Sequence, residues 1–426
     1  MEDDQSLLEV ISVCLLILIQ NKRAGSTLII IRNPHRREQM MKRTMTISVV
    51  IMAMLFASTA FATLKVGVLS DLTGPTSSVG VPYAQGIKDC AAYVNANGGI
   101  NGENIELLQV DYAYNVQQAL AAYKRFKSQG IVAMQGWGTG DTEALVRFVS
   151  RDRIPVFSAS YSAHFMNPKK APYNFTIAPD YSTQGRAGLK YIKDNWKEKR
   201  APKIAFVYPD KPYGLVPLPA MKEYAKEIGF EITGDEVLGL KAMDATPQLL
   251  GLKKQNPDFV WVGGTTPSTA VLMKDAKKLG FNGKFLVNIW GNDENLAKMA
   301  GPACEGNYGM QAAAVYGQNV PGMKIVEAQT KGQPQMTHYL RGFVSTMVMV
   351  EGMKKAAAEG KVTGESIKEA LETLRDFDPM GLAPAISYFP EDHRPSMAVN
   401  VCTVKDGELQ FVETVALPRD AKWLGK

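Results

Sequence analysis

From residue 63 onward the chain switches repeatedly between two hydrophobic periods. Short runs dense in Val, Ile, Leu and Phe, as in strands buried on both faces, alternate with stretches whose apolar positions recur at helical spacing. The pattern predicts strands over 65–70, 106–111, 131–134 and 155–157, with helices over 80–97, 116–128 and 141–150 between them. Gly98-Gly99 closes the first helix, and Thr139 or Asp141 caps the third. A helix over 183–197 leads into a second series, with strands at 203–208, 231–238, 259–262 and 285–289 and helices at 218–228, 246–255 and 268–279. Such alternation builds right-handed βαβ units, and therefore α/β lobes of parallel sheet flanked by helices. The two series divide near Pro179-Asp180-Tyr181. The remainder breaks the rhythm, with helices over 337–359 and 364–375 and a strand-like tail over 385–415. No low-complexity linker intervenes, so short crossing segments join two lobes.

Ligands of open parallel sheets sit beyond the C-terminal strand ends. The loops there, 71–79, 136–140, 158–163, 209–214, 263–267 and 290–293, are rich in Gly, Ser, Thr and aromatics and poor in charge. Gly136-Trp137-Gly138-Thr139-Gly140 runs into a helix, whose free N–H groups and positive end suit an anion. Ser158-Ala159-Ser160-Tyr161-Ser162 adds hydroxyls on the neighbouring strand end, enough to hold a carboxylate. The same serines and threonines also serve as helix caps, and Trp137, Tyr161, Tyr213 and Trp290 also serve as packing. Four aromatics on facing loops favour a pocket.

Composition narrows the class. Without its first 62 residues the chain carries 41 basic and 37 acidic side chains, with no basic stripe of the kind nucleic acid attracts. Cys90, Cys304 and Cys402 form an odd set, in which Cys304 with Cys402 is the one pairing entertained and Cys90 sits in an apolar helix pattern. His35, His164, His338 and His393 are scattered, so no histidine metal motif can be written. Asp71, Asp141, Asp210, His164 and Asp293 lie on or near the cleft loops but form no Ser-His-Asp order or nucleophile elbow. The reading is not an enzyme, with neither cofactor nor metal.

Residues 41–62 read as a secretory signal. Lys42 and Arg43 supply its charged start, 47–56 its apolar core and Ala60-Phe61-Ala62 its cleavage site. Export to the periplasm follows. A second apolar run at 10–19 is short for a membrane span, and residues 1–40 read as a wrongly assigned start.

Several stretches carry a resemblance. Lys65-Val66-Gly67-Val68, Leu72-Thr73-Gly74-Pro75 and Val94-Asn95-Ala96-Asn97-Gly98-Gly99-Ile100-Asn101-Gly102 resemble the opening of the periplasmic binding proteins of the branched-chain amino acid type, solute receptors of ABC importers. Tyr213-Gly214, 258–264 and Tyr339-Leu340-Arg341-Gly342 fit as well. The resemblance implies a two-lobed type I periplasmic binding protein fold with three hinge crossings, near 179–181, 311–313 and 390–395. Lobe 1 would comprise 63–180 and 312–392, and lobe 2 would comprise 181–311 and 393–426. It further implies a monomer that delivers a small-molecule ligand to an inner-membrane ABC permease. By position, first-lobe ligand contacts fall near Thr139, Ser160 and Ser162, to which the loop reading adds Trp137 and Tyr161. Those of the second lobe fall near Tyr213, Thr265 and Trp290, with Tyr339 on the returning helix and Asp293 as a further candidate.

Two departures bear on the ligand. Amino-acid-binding members place an acid in the second lobe to meet the ligand's ammonium, where this chain has Trp290, with Asp293 three residues on. A first-lobe cysteine pair found in some members is replaced by Tyr114 and Gly138-Thr139. A buried ammonium without a charged partner is costly, which leans the reading from leucine, isoleucine and valine towards an amine-free acid or amide. The alternative is a periplasmic ligand-sensing module partnering a signalling receptor.

Overall fold

The protein was examined as a computed structural model that describes residues 63–426. The expected leader over 41–62 and the extension over 1–40 lie outside the described residues.

Two sheets organise the chain. The first contains β1 (Thr63–Ser70), β2 (Asn104–Asp111), β3 (Ala133–Gly136), β4 (Val156–Ser158) and β5 (Asn174–Phe175), parallel throughout and ordered β2-β1-β3-β4-β5. Between them run α1 (Ser77–Ala96), α2 (Val116–Ser128) and α3 (Thr139–Asp152). Helix α4 (Tyr181–Asn195) then opens the second series. Its strands are β6 (Lys203–Tyr208), β7 (Glu231–Val237), β8 (Phe259–Val262), β9 (Lys284–Val287) and β10 (Tyr308–Gln311). Its helices are α5 (Pro212–Leu215), α6 (Leu218–Glu227), α7 (Thr246–Gln255), α8 (Thr266–Lys278) and α9 (Glu294–Ala300). The chain continues through α10 (Met323–Gln329), α11 (Thr337–Ala358) and α12 (Gly364–Glu372), and ends in β11 (Ala398–Lys405) and β12 (Glu408–Ala416). β11 and β12 join β10 as an antiparallel edge, giving the order β12-β11-β10-β9-β8-β6-β7.

The near-continuous apolar strands have their reason in burial on both faces. Along β6, Ile204 and Phe206 face one layer while Ala205 and Val207 face the other. Phe259 and Trp261 of β8 alternate with Val260 and Val262 in the same way.

α11 returns to the first sheet and packs along α1. The two helices touch backbone to backbone, because an added Cβ at Gly86 would strike the Tyr339 carbonyl and one at Gly342 the Tyr83 carbonyl. The chain therefore passes between the layers three times: between β5 and β6, between β10 and α11, and between α12 and β11.

Element bounds follow the hydrophobic pattern closely, with specific misses. β5, β10, α5, α9 and α10 were not expected, and the tail is strand only from Ala398. Cys90, Cys304 and Cys402 are all buried and free, so the entertained Cys304–Cys402 bond is not formed. Cys304 Sγ instead donates to the Gly301 carbonyl at 3.1 Å. Among the described residues no helix is long and apolar enough to cross a membrane.

Candidate functional site

Asp71, at the end of β1, organises the first wall. Its fully buried carboxylate accepts from Gly74 N (2.6 Å), Thr76 N (2.8 Å) and Thr76 Oγ1 (2.6 Å). Leu72-Thr73-Gly74-Pro75 is thus wrapped around one acid, and Asp111 pins its outer side through Leu72 N and Thr73 Oγ1. Thr76 Oγ1 in turn accepts from Trp137 Nε1 at 2.9 Å, which sets the indole at the end of β3.

The turn after β3 satisfies part of its own backbone. Gly138 N donates to Asp141 (3.1 Å) and to Tyr112 Oη (3.2 Å), while the Tyr112 hydroxyl donates to Asp141 at 2.8 Å. Burial pushes the Asp141 carboxyl up to about 7 against the hydrogen bonds that favour its charge. Thr139 and Ser160 hydroxyls share a 2.6 Å hydrogen bond, and those of Thr142 and Ser158 share one of 2.8 Å, tying two strand ends together.

The facing wall comes from the second sheet. Tyr213, on α5, donates to the Gly264 carbonyl at 2.9 Å and accepts from Asn288 Nδ2 at 2.5 Å. Thr265 precedes α8 with its buried Oγ1 lacking a hydrogen-bond partner among the described residues. Trp290 donates Nε1–H to the Tyr181 hydroxyl at 2.9 Å. Its ring stacks on Tyr161 (5.7 Å between centroids) and on His338 (5.4 Å), and meets Trp137 edge-on at 5.4 Å.

Between these walls lies a narrow cleft with about 30 Å³ of free volume. It is lined by uncharged groups, with Thr76, Thr139, Thr265 and Gly138 among the aromatics Tyr114, Trp137, Tyr181, Tyr213 and Trp290. Such a lining suits a small ligand gripped by rings and oriented by a few hydroxyls.

Of the sequence-predicted residues, Trp137, Thr139, Tyr213, Thr265 and Trp290 line the cleft. Ser160 sits one bond behind Thr139, and Tyr161 lies against Trp290. Ser162 is buried at the start of the 3-10 turn Ala163–Met166.

Two predicted residues are occupied elsewhere. Tyr339 donates its hydroxyl to Asp89 on α1 at 2.8 Å. Asp293 caps α9 by accepting from Asn295 N and Leu296 N, and its other oxygen takes His338 Nε2–H at 2.7 Å and the Thr266 hydroxyl. Burial opposes its charge, but these donors hold its carboxyl below the usual carboxylate range. His164 is exposed.

Thr76, Tyr114 and Tyr181 were not singled out for the site. Thr76 lay inside a loop already placed at the strand ends. Tyr114 carried no turn signal. It and Ala113 adopt φ of 58° and 49° without a glycine, held by the Ala113 N–H on Asp111 at 3.0 Å.

A family model of periplasmic binding proteins matches residues 63–408. The chain belongs to this family. Among its relatives is the leucine-, isoleucine-, valine-, threonine- and alanine-binding protein of Pseudomonas aeruginosa, 25% identical over 332 residues that make up 76% of this chain and 87% of that one. The solved ABC transporter substrate-binding protein of Aeropyrum pernix is 32% identical with a TM-score of 0.79, covering 85% of this chain and 98% of its own. A branched-chain amino acid ABC transporter protein of Thermus thermophilus with bound valine shares the fold at 23% identity and a TM-score of 0.78, covering 85% and 98%. The periplasmic binding proteins of ABC transporters to which this chain is similar thus carry the two-lobed fold expected from its opening motifs. The resemblance to the branched-chain amino acid type stands.

Proposed function

We propose that this periplasmic binding protein captures a small carboxylate-type ligand in the cleft and delivers it to an inner-membrane ABC importer, working in the periplasm after removal of its leader. The observation that carries this reading is the cleft itself: paired hydroxyls at the first sheet's strand ends face a wall of aromatic rings. Thr139, Thr265 and Tyr213 orient the ligand's polar end, and Trp137, Trp290 and Tyr181 hold its apolar body. Closure of the lobes on the ligand completes the contacts and presents the closed face to the permease. The names of the relatives, which include receptors for branched-chain amino acids, support the transport role, and the lining chemistry supports the carboxylate.

A thermal-shift panel tests it. The protein, unfolded and refolded to strip carried-over ligand, is melted with branched-chain amino acids, aromatic and aliphatic carboxylates, and short amides. A ligand at 100 times its dissociation constant stabilises by about 2.7 kcal/mol, and at least one acid of the panel should raise the melting temperature accordingly. A panel without any shift would contradict the reading and favour a sensing module with a different partner.

A further inference from the structure

Behind Trp290 lies Arg341, on α11, fully buried. Its guanidinium carbon stands 4.0 Å from the centre of the Trp290 ring. Nη2 donates to the Ile289 carbonyl at 3.1 Å and to Nδ1 of His338. Nε and Nη1 have no hydrogen-bond partner among the described residues. A buried guanidinium is ordinarily matched by a carboxylate. This one hydrogen-bonds to an acid only at second hand, through His338 to Asp293, while Glu294 feels its charge without a hydrogen bond.

The intervening imidazole is neutral. Burial, together with the neighbouring Arg341, drives the His338 pKa down to about 4, so near neutral pH the ring passes a hydrogen bond but no charge. The other acids at this end of the molecule are already engaged. Asp71 is wrapped by its loop, Asp141 holds Gly138 and Tyr112, and the Glu294 carboxylate accepts from Thr337 N. Two further buried hydroxyls, of Tyr83 and Tyr161, lie beside the same indole and next to Arg341, the indole ring centre being 6.2 Å from Tyr83 and 5.7 Å from Tyr161; they offer the guanidinium neutral oxygens and no charge. The cleft in front of Trp290 contains no charged lining residue to offset the guanidinium.

We propose that Arg341 is a positioning residue that makes the cleft selective for carboxylates lacking an α-ammonium group. The inference rests on the small-carboxylate reading above and narrows its ligand class. Low-dielectric aromatic walls focus the field of the buried cation into the cleft. There it favours an anion and disfavours a zwitterion, whose ammonium finds no acidic side chain among the lining residues. Trp290, held edge and face between Trp137, Tyr161 and His338, separates the guanidinium from the cleft, and the field acts across its low-dielectric ring.

The test uses ligand pairs that differ only in the amino group: 4-methylpentanoate against leucine, and 3-phenylpropanoate against phenylalanine. Calorimetric titration should show the amine-free member of at least one pair binding about 100-fold tighter or more. Arg341→Met should reduce that ratio to under about tenfold, and Arg341→Lys should restore most of it. A purely structural role would weaken both members of a pair alike and leave the ratio unchanged. Amino acids that bind the wild-type protein as tightly as their amine-free partners overturn this inference and leave the receptor reading standing. Silence of both pairs together with the whole thermal-shift panel overturns the receptor reading as well. If Arg341→Met does not fold, judged by circular dichroism, the wild-type ratios decide.

Discussion

At the residue scale, the informative groups are buried polar atoms whose partners can be counted. Thr265 Oγ1 has none among the described residues, although Thr265 lines the cleft. Thr265→Val should therefore leave the ligand-free protein as stable or slightly more so, since a buried unpaired hydroxyl is costly. The same change should weaken ligand binding about tenfold, and melting curves with and without ligand check both halves.

Asp141 gives a pH prediction. Its folded pKa of about 7 lies above the unfolded carboxylate value, so the folded state holds the extra proton between the two. Stability from this group is fully present below the unfolded pKa and declines as pH rises through about 7. Asp141→Asn should flatten the fall in melting temperature between the unfolded carboxylate pKa and about 7, and an unchanged slope there would contradict that assignment. Legibility at this scale was uneven. The Ser/Thr and aromatic loops were visible because loop composition and strand ends coincide. The occupation of Asp293 by His338 and Thr266 was not, because it depends on the start of α11 passing Asp293 on its way to the first sheet. Tyr114 escaped because its left-handed turn is enforced by the Asp111 carboxylate from β2, not by a glycine in its own sequence.

At the scale of elements, hydrophobic period located the longer helices and strands well, with α2, β6, α7 and β8 agreeing residue for residue. The two-residue β5 and the short α5, α9 and α10 carry too few turns or alternations to show a period. β10 follows a glycine-rich turn and contains Gly309, packed against the Asn292 side chain, which masks its strand character. The contact of α1 with α11 is a different kind of information. Gly342 belongs to the Tyr339-Leu340-Arg341-Gly342 stretch that supported the family resemblance, and the structure explains it: the helix backbones meet there, with Gly86 as its counterpart. Gly342→Ala should destabilise by about 1–3 kcal/mol through overpacking against the Tyr83 backbone. Thermal melts measure this directly, and a variant as stable as wild type would show that the helices can separate freely. The same helix contact sets the position of Arg341 and His338, so the variant should also weaken ligand binding beyond its effect on stability.

At the scale of the whole molecule, one parallel and one mainly parallel sheet joined by three passages place an aromatic wall opposite a hydroxyl-lined one. The two-lobed class was legible in advance because βαβ alternation and its interruption near residue 180 are properties of the chain's order. The content of the cleft needed the fold, since Tyr181 enters from a passage between lobes and Trp290 meets Trp137 only when the lobes face one another. The proposed ligand contacts from both sides imply that removing a hydroxyl pair at one strand end weakens capture without unfolding either lobe. The measurement that tests this most directly is a titration of tryptophan emission with an acid that stabilises the protein, performed on wild type and on Thr139→Ala. Trp137 and Trp290, 5.4 Å apart across the cleft, should report a saturable change. Its midpoint should shift to higher concentration by about tenfold in the variant while the melting temperature without ligand stays within a few degrees. An identical midpoint in both proteins would place the ligand outside the cleft and contradict the account.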